Sequence, residues 1–147
     1  MTISSINKQS NRIIKSVLFL FLVFSVASCA KKIHFQTSSV VPAANGTVKV
    51  KRDDNKNYTI QIKLQDLAEV SRLQQGKQGY VVWLVTDNDE TKNIGRITSD
   101  KNFLSRKLKA NFETVTAVKP KKVFVTAEVD TNTQYPDTQI ILTTDNF

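Results

Sequence analysis

The stretch "YVVWLV", Tyr80 to Val85, is apolar at six successive positions. A run this short, bounded by Gly79 and by the turn residues "DNDET", reads as a central β-strand covered on both faces. Around it the pattern changes to period two. "TVKVKR" places Val48 and Val50 on one side, and "YTIQIKLQ" does the same with Tyr58, Ile60, Ile62 and Leu64. With "DDNKN" between them the two read as a hairpin with one buried face. "DLAEVSRLQQGKQG" breaks the alternation and has room for one short helical turn. "KNIGRIT" follows as a strand in which Gly95 marks a bulge or a close neighbour. "FLSRKLKANFETV" sets Leu104, Leu108, Ala110 and Phe112 against polar partners, and "VFVTAEV" and "QIILTT" complete the set. Pro120, in "KPKK", is expected outside a paired strand. Six to eight short strands without a long amphipathic helix predict an all-β fold, a single antiparallel immunoglobulin-like β-sandwich over residues 46–147.

The expected core centres on Tyr80, Val82, Trp83, Leu84 and Phe112. Trp83 has a second reading, an exposed platform on which a sugar ring stacks. Its apolar neighbours favour burial.

The amino terminus carries a different signal. Lys8, Arg12 and Lys15 precede a stretch that is wholly apolar from Val17 to Phe24, with no acid among them. Lys15 and Lys31 bracket a segment that weakens at Ser25 and Ser28. This is short of the roughly 20 apolar residues that a spanning helix requires. The residues "VASC", Val26 to Cys29, resemble the lipobox of bacterial lipoproteins. The resemblance implies a signal peptide over 1–28, cleavage between Ser28 and Cys29, and acyl chains (palmitate) on Cys29 as a membrane anchor. The other reading is an uncleaved short anchor with a buried free cysteine. Residues 29–45, with Pro42 and Gly46, then read as a lipidated tether carrying one early strand at Ile33 to Gln36.

Removing residues 1–28 takes three cations and no acid from a chain of formal charge +8 and leaves 119 residues at +5. That length suits one domain. Cys29 is the single cysteine, so the fold has no disulfide and rests on packing. An exported chain has no occasion to meet nucleic acid, and its basic balance points instead to anionic lipid or glycan, or to a solvated surface.

The sequence offers no catalytic set. His34 is the only histidine, and no nucleophile elbow, zinc-binding helix, phosphate loop or dinucleotide fingerprint occurs. The expectation is a non-enzyme with neither metal nor cofactor. "DNDE", with Asp87, Asp89 and Glu90, has the oxygens of a calcium turn but also the composition of an ordinary solvated one. Arg106, Lys107 and Lys109, with Lys121 and Lys122, form a possible patch for an anionic partner if their strands pair; otherwise they are solvated edge residues.

The order of "YVVWLV", "NIGRI" with Gly95, Phe112, "VFVTAEV" and Pro136 before "IILTT" resembles the extracytoplasmic carboxy-terminal domain of anti-sigma-K factors over roughly the last hundred residues. The resemblance implies a β-sandwich and an extracytoplasmic sensing or interaction role. About fifteen residues precede the apolar run, too few for the sigma-binding domain of that family, and the glycine-rich segment expected after Glu128 is replaced by "VDTNTQYPD". The function expected is therefore that of a lipid-anchored envelope protein, outside the cytoplasm and in the outer membrane rather than the inner. It would act as a protein-interaction or assembly module, or else as a ligand sensor or a glycan or anionic-lipid binder.

Overall fold

The computed structural model describes residues 30–73, 75–97 and 108–147. The predicted signal segment over 1–28, with Ser28, and Cys29, Leu104, Arg106 and Lys107 lie outside the described residues. The strands are β1 (Lys31–His34), β2 (Asn45–Arg52), β3 (Tyr58–Leu67), β4 (Gly79–Thr86), β5 (Thr91–Ile97), β6 (Leu108–Thr116), β7 (Pro120–Glu128) and β8 (Ile140–Thr143). One helical turn, α1 (Val70–Leu73), lies between β3 and β4.

Two four-stranded sheets face each other, β1-β2-β3-β6 (sheet I) and β5-β4-β7-β8 (sheet II), and every pairing is antiparallel. With β1 set aside, the chain crosses between sheets after β3, β5 and β6, the immunoglobulin-like path of an all-β sandwich. The period-two segments form as read. Val48 lies opposite Ile62 and Val50 opposite Ile60, and the "DDNKN" turn is held by Asp53, whose carboxylate accepts the Asn57 amide at 2.7 Å.

The core between the sheets is built from Val48, Ile60, Ile62 and Leu64 on one side and Tyr80, Val82, Leu84, Val123 and Val125 on the other, all buried. At about 1.5–3 kcal/mol per fully buried aliphatic or aromatic side chain, this layer is the main favourable term. Bulges extend it. In β3 the register slips between Leu64 and Leu67, so both turn inward. In β8 a slip between the partners of Val125 and Thr126 lets Ile141 and Leu142 both enter the core.

Gly95 sits at a third bulge, with φ 140°. A Cβ there would lie 2.8 Å from Cε2 of Phe112, which reaches across from β6 half-buried. Pro120 is the first residue of β7, a position that asks nothing of its missing N–H.

Residues 31–45 depart from the expected tether. β1 pairs with β2 over Lys31–His34, earlier than the predicted strand, and Phe35 then bridges to Thr144 beside β8. Ser38 accepts the Val41 amide at 2.9 Å, and the resulting turn places Val41 and Ala44 in the core. Pro42 lies in a tight turn closed by the Ala44 amide donating to the Val41 carbonyl at 2.8 Å, and Gly46 is paired within β2 opposite Leu64.

Candidate interaction surfaces

Trp83 is fully buried, but not between the sheets. Tyr80, Val82 and Leu84 take the inner face of β4, so parity sends Val81 and Trp83 to the outer face of sheet II, where they cluster with Phe124. The Trp83 and Phe124 rings stack across the β4–β7 pair with centroids 6.2 Å apart. A sheet's outer face is normally wet. Here it is covered by the β7–β8 connection, residues 129–139, which folds back as a strap.

Polar contacts fix the strap. Asn93 on β5 stands opposite Trp83 and donates its amide to the carbonyls of Thr131 (3.1 Å) and Thr133 (2.8 Å). The Trp83 indole N–H donates to Thr126 Oγ1 at 2.7 Å, and the Thr126 hydroxyl donates to Glu128, which also accepts the Asp137 amide at 2.8 Å. Asp137 pairs with Lys77, whose side chain is only 5% exposed. The Lys77 bond, with the Gln139 amide also donating, holds the Asp137 carboxyl below its ordinary range. Gly79 leaves space for the strap, since a Cβ there would lie 2.6 Å from the Thr131 methyl. Among the described residues no buried side-chain polar atom lacks a partner.

Above this network the strap is apolar in places. Among the described residues four large hydrophobics are exposed, Val115, Val129, Tyr135 and Ile140, and the last three lie on the strap or at its end, with Tyr135 80% exposed. Beside them an open depression of about 680 Å³ is lined by Asn93–Arg96 and Thr131–Gln134. An exposed aromatic thus stands next to a shallow polar basin.

Of the predicted cationic patch, Lys109, Lys121 and Lys122 are among the described residues, and the fold does not bring Lys109 together with the other two. β6 belongs to sheet I and β7 to sheet II, because the chain crosses over at residues 117–119, so Lys109 is separated from Lys121 and Lys122. Lys121 pairs with Asp89 and Lys119 with Asp87, while Lys122 lies half-buried opposite Val85. The "DNDE" carboxylates therefore each face a lysine, Glu90 meeting Lys92 at 3.0 Å. Coulomb attraction to these neighbours competes directly with any cation. Among the described residues no group of His, Cys, Asp or Glu converges as a metal site does. His34 is exposed on the edge strand opposite Thr47.

A different basic surface is present. On the outer face of sheet I the register brings Lys32 directly opposite Lys49, with Lys51, Lys63 and Lys109 on the same face, all exposed. Glu113 is the acid of this face, and its carboxylate accepts a hydrogen bond from Gln61 at 3.0 Å. The polar positions of "TVKVKR" and "YTIQIKLQ" carried this signal, but only the pairing of β1, β2 and β3 makes one surface of them.

Comparison of the chain with protein-family models, with curated proteins and with solved structures finds no match.

Proposed function

We propose that this protein is an exported bacterial lipoprotein, anchored through acyl chains on Cys29 after cleavage behind Ser28, whose sandwich works as a non-catalytic interaction module at the cell envelope. The "VASC" motif after a short apolar run supports the anchor, and the outer membrane is the destination this reading favours. The resemblance to the extracytoplasmic domain of anti-sigma-K factors supports an interaction role.

The observation that carries the reading is the strap. Three of the four exposed large hydrophobics fall between Val129 and Ile140, on a segment held by Asn93, Glu128 and Lys77. Pre-ordering such a segment lowers the entropy lost on binding. A partner protein that buries Tyr135 would take it as an anchor residue.

The test is photo-cross-linking in intact cells from position 135, with position 56 in the opposite sheet's hairpin as control, followed by mass spectrometry of the purified protein. One dominant partner from position 135 alone is expected. With the cross-linker moved to the neighbouring exposed position 134, recovery of that partner should fall by about thirtyfold or more in Tyr135→Ser if the tyrosine anchors the contact. Equal, non-specific products from both positions would sink the reading.

A further inference from the structure

We infer that the outer face of sheet I is a docking surface for anionic phospholipid headgroups, which lays the sandwich flat on the membrane that holds it. The inference rests on the anchoring reading for the position of the chain but on the structure for the face.

The first observation is charge segregation. Lys77, Lys92, Lys119 and Lys121, which flank sheet II, each face a carboxylate within the protein. Lys32, Lys49, Lys51, Lys63 and Lys109 make no ion pair among the described residues, and all five project from one face. Lys31, Lys56 and Lys122 also make no ion pair among the described residues but lie elsewhere, so the outer face of sheet I is where lysines without an ion pair are gathered.

The second observation is the Lys32–Lys49 pair. Like charges directly opposite each other across two strands oppose the pairing of those strands. Here they stand where β1 joins the sheet, next to Lys51 and Lys63. An array of this kind is relieved by a layer of negative charge, and a phospholipid surface supplies one that extends across several strands, as this array does.

The third observation is where the chain leaves the fold. β1 begins at Lys31, two residues beyond Cys29. Two residues span at most about 7 Å, which is inside the Debye length of roughly 8 Å at physiological salt. A lipid on Cys29 therefore brings the edge of sheet I within electrostatic reach of headgroups, and the exposed Val115, on the same face opposite Thr59, has apolar atoms to offer at the same surface. An acidic glycan or protein in solution would be attracted to the same cations but would not be favoured by this attachment point.

The experiment is lysine acetylation footprinting of the full-length protein purified from membranes and reconstituted in two kinds of vesicle. One is phosphatidylcholine alone; in the other, phosphatidylglycerol replaces a third of it. Flotation with both vesicles and the mass of the Cys29 peptide report the anchor; labelling of individual lysines reports the face. The expected result is that Lys32, Lys49, Lys51, Lys63 and Lys109 are acetylated several-fold more slowly with phosphatidylglycerol. Lys92 and Lys119 should keep their rates, and raised salt should abolish the difference.

A variant with Lys49→Gln, Lys51→Gln and Lys63→Gln, all exposed positions, should melt as the parent does. It should return Lys32 and Lys109 to the phosphatidylcholine rate, each substitution weakening association by about fivefold. Flotation with no protection in phosphatidylglycerol would overturn the docking while leaving the anchor in place. Protection equal in both vesicles, or obtained only with a soluble acidic polysaccharide, would also overturn it. An unmodified Cys29 peptide with protected lysines would overturn the anchor and keep the face.

Discussion

The indole N–H of Trp83 and the hydroxyl of Thr126 meet at 2.7 Å on the covered outer face of sheet II, and the same hydroxyl donates to Glu128. Replacing Thr126 with Val keeps the volume but leaves a buried N–H and a carboxylate oxygen short of a partner. The expected loss is about 1–3 kcal/mol in urea unfolding. Trp83 is the only tryptophan, so its fluorescence reads the same site. An unchanged midpoint would remove the network from the account of stability.

Trp83→Ala should cost roughly 3–5 kcal/mol even though Trp83 lies outside the inter-sheet core, because the strap closes over it as completely as a second sheet would. Trp83→Phe should keep the stacking on Phe124 and lose mainly the hydrogen bond. Thermal unfolding of the two variants side by side distinguishes packing from polar loss.

Gly95→Ala combines a positive φ with a clash against Phe112. The backbone strain alone is worth roughly 1–3 kcal/mol. Adding Phe112→Leu should recover the steric part of the loss and none of the strain, so the double variant should melt above Gly95→Ala. If it melts lower than either single variant, the contact between the two residues is not what limits the site.

Acid should loosen the strap before the sandwich. The Asp137 carboxyl is held below its ordinary value of 3.8 in the folded protein, first by the Lys77 bond. A depressed folded-state pKa contributes stability above the unfolded value, and that contribution disappears as pH falls below about 4 toward the folded value. Proteolysis within residues 129–139 should therefore rise in that window. Asp137→Asn should be more readily cut at neutral pH and should lose the acid step. Cleavage that is independent of both pH and variant would count against the pair.

Alkali acts on the other face of β4. Burial pushes the Tyr80 phenol up to about 12, and its O–H donates to the Ala68 carbonyl at 2.9 Å. A raised folded-state pKa contributes stability that is fully present below the unfolded value near 10 and is lost as pH climbs toward 12. Phenolate absorbance should show one late step that is missing from Tyr80→Phe, and the melting temperature of the parent should fall across that range more than that of the variant.

What could be read from residues alone follows the physics of each signal. Period two was enough for β2 and β3, because alternation has one structural meaning when one face is buried. The unbroken run at Tyr80–Val85 announced two covered faces, and both are covered. It could not say that the second cover is "VDTNTQYPD", a polar segment whose backbone is held by Asn93 and Glu128 rather than by its own hydrophobicity. Trp83 was placed in the core by composition and on the other face by parity, which only register decides. The early segment was misread for a similar reason: Val41 and Ala44 are buried by a turn that Ser38 closes, and nothing periodic marks it. Topology parts Lys109 from Lys121 and Lys122, since β6 and β7 are neighbours in sequence but belong to different sheets.

The bridge from Phe35 to Thr144, with the Gln36 amide donating to Thr143 at 2.8 Å, clasps the first strand to the last across 109 residues between Gln36 and Asp145. Loops of that length close late, so native-like order should appear first in the hairpins and only at the end in the clasp. A chain emerging amino terminus first from a ribosome or a pore would hold Phe35 and Gln36 unpaired at this point until Thr143 and Thr144 arrived. That the clasp locks last is then a consequence of the sheet order itself.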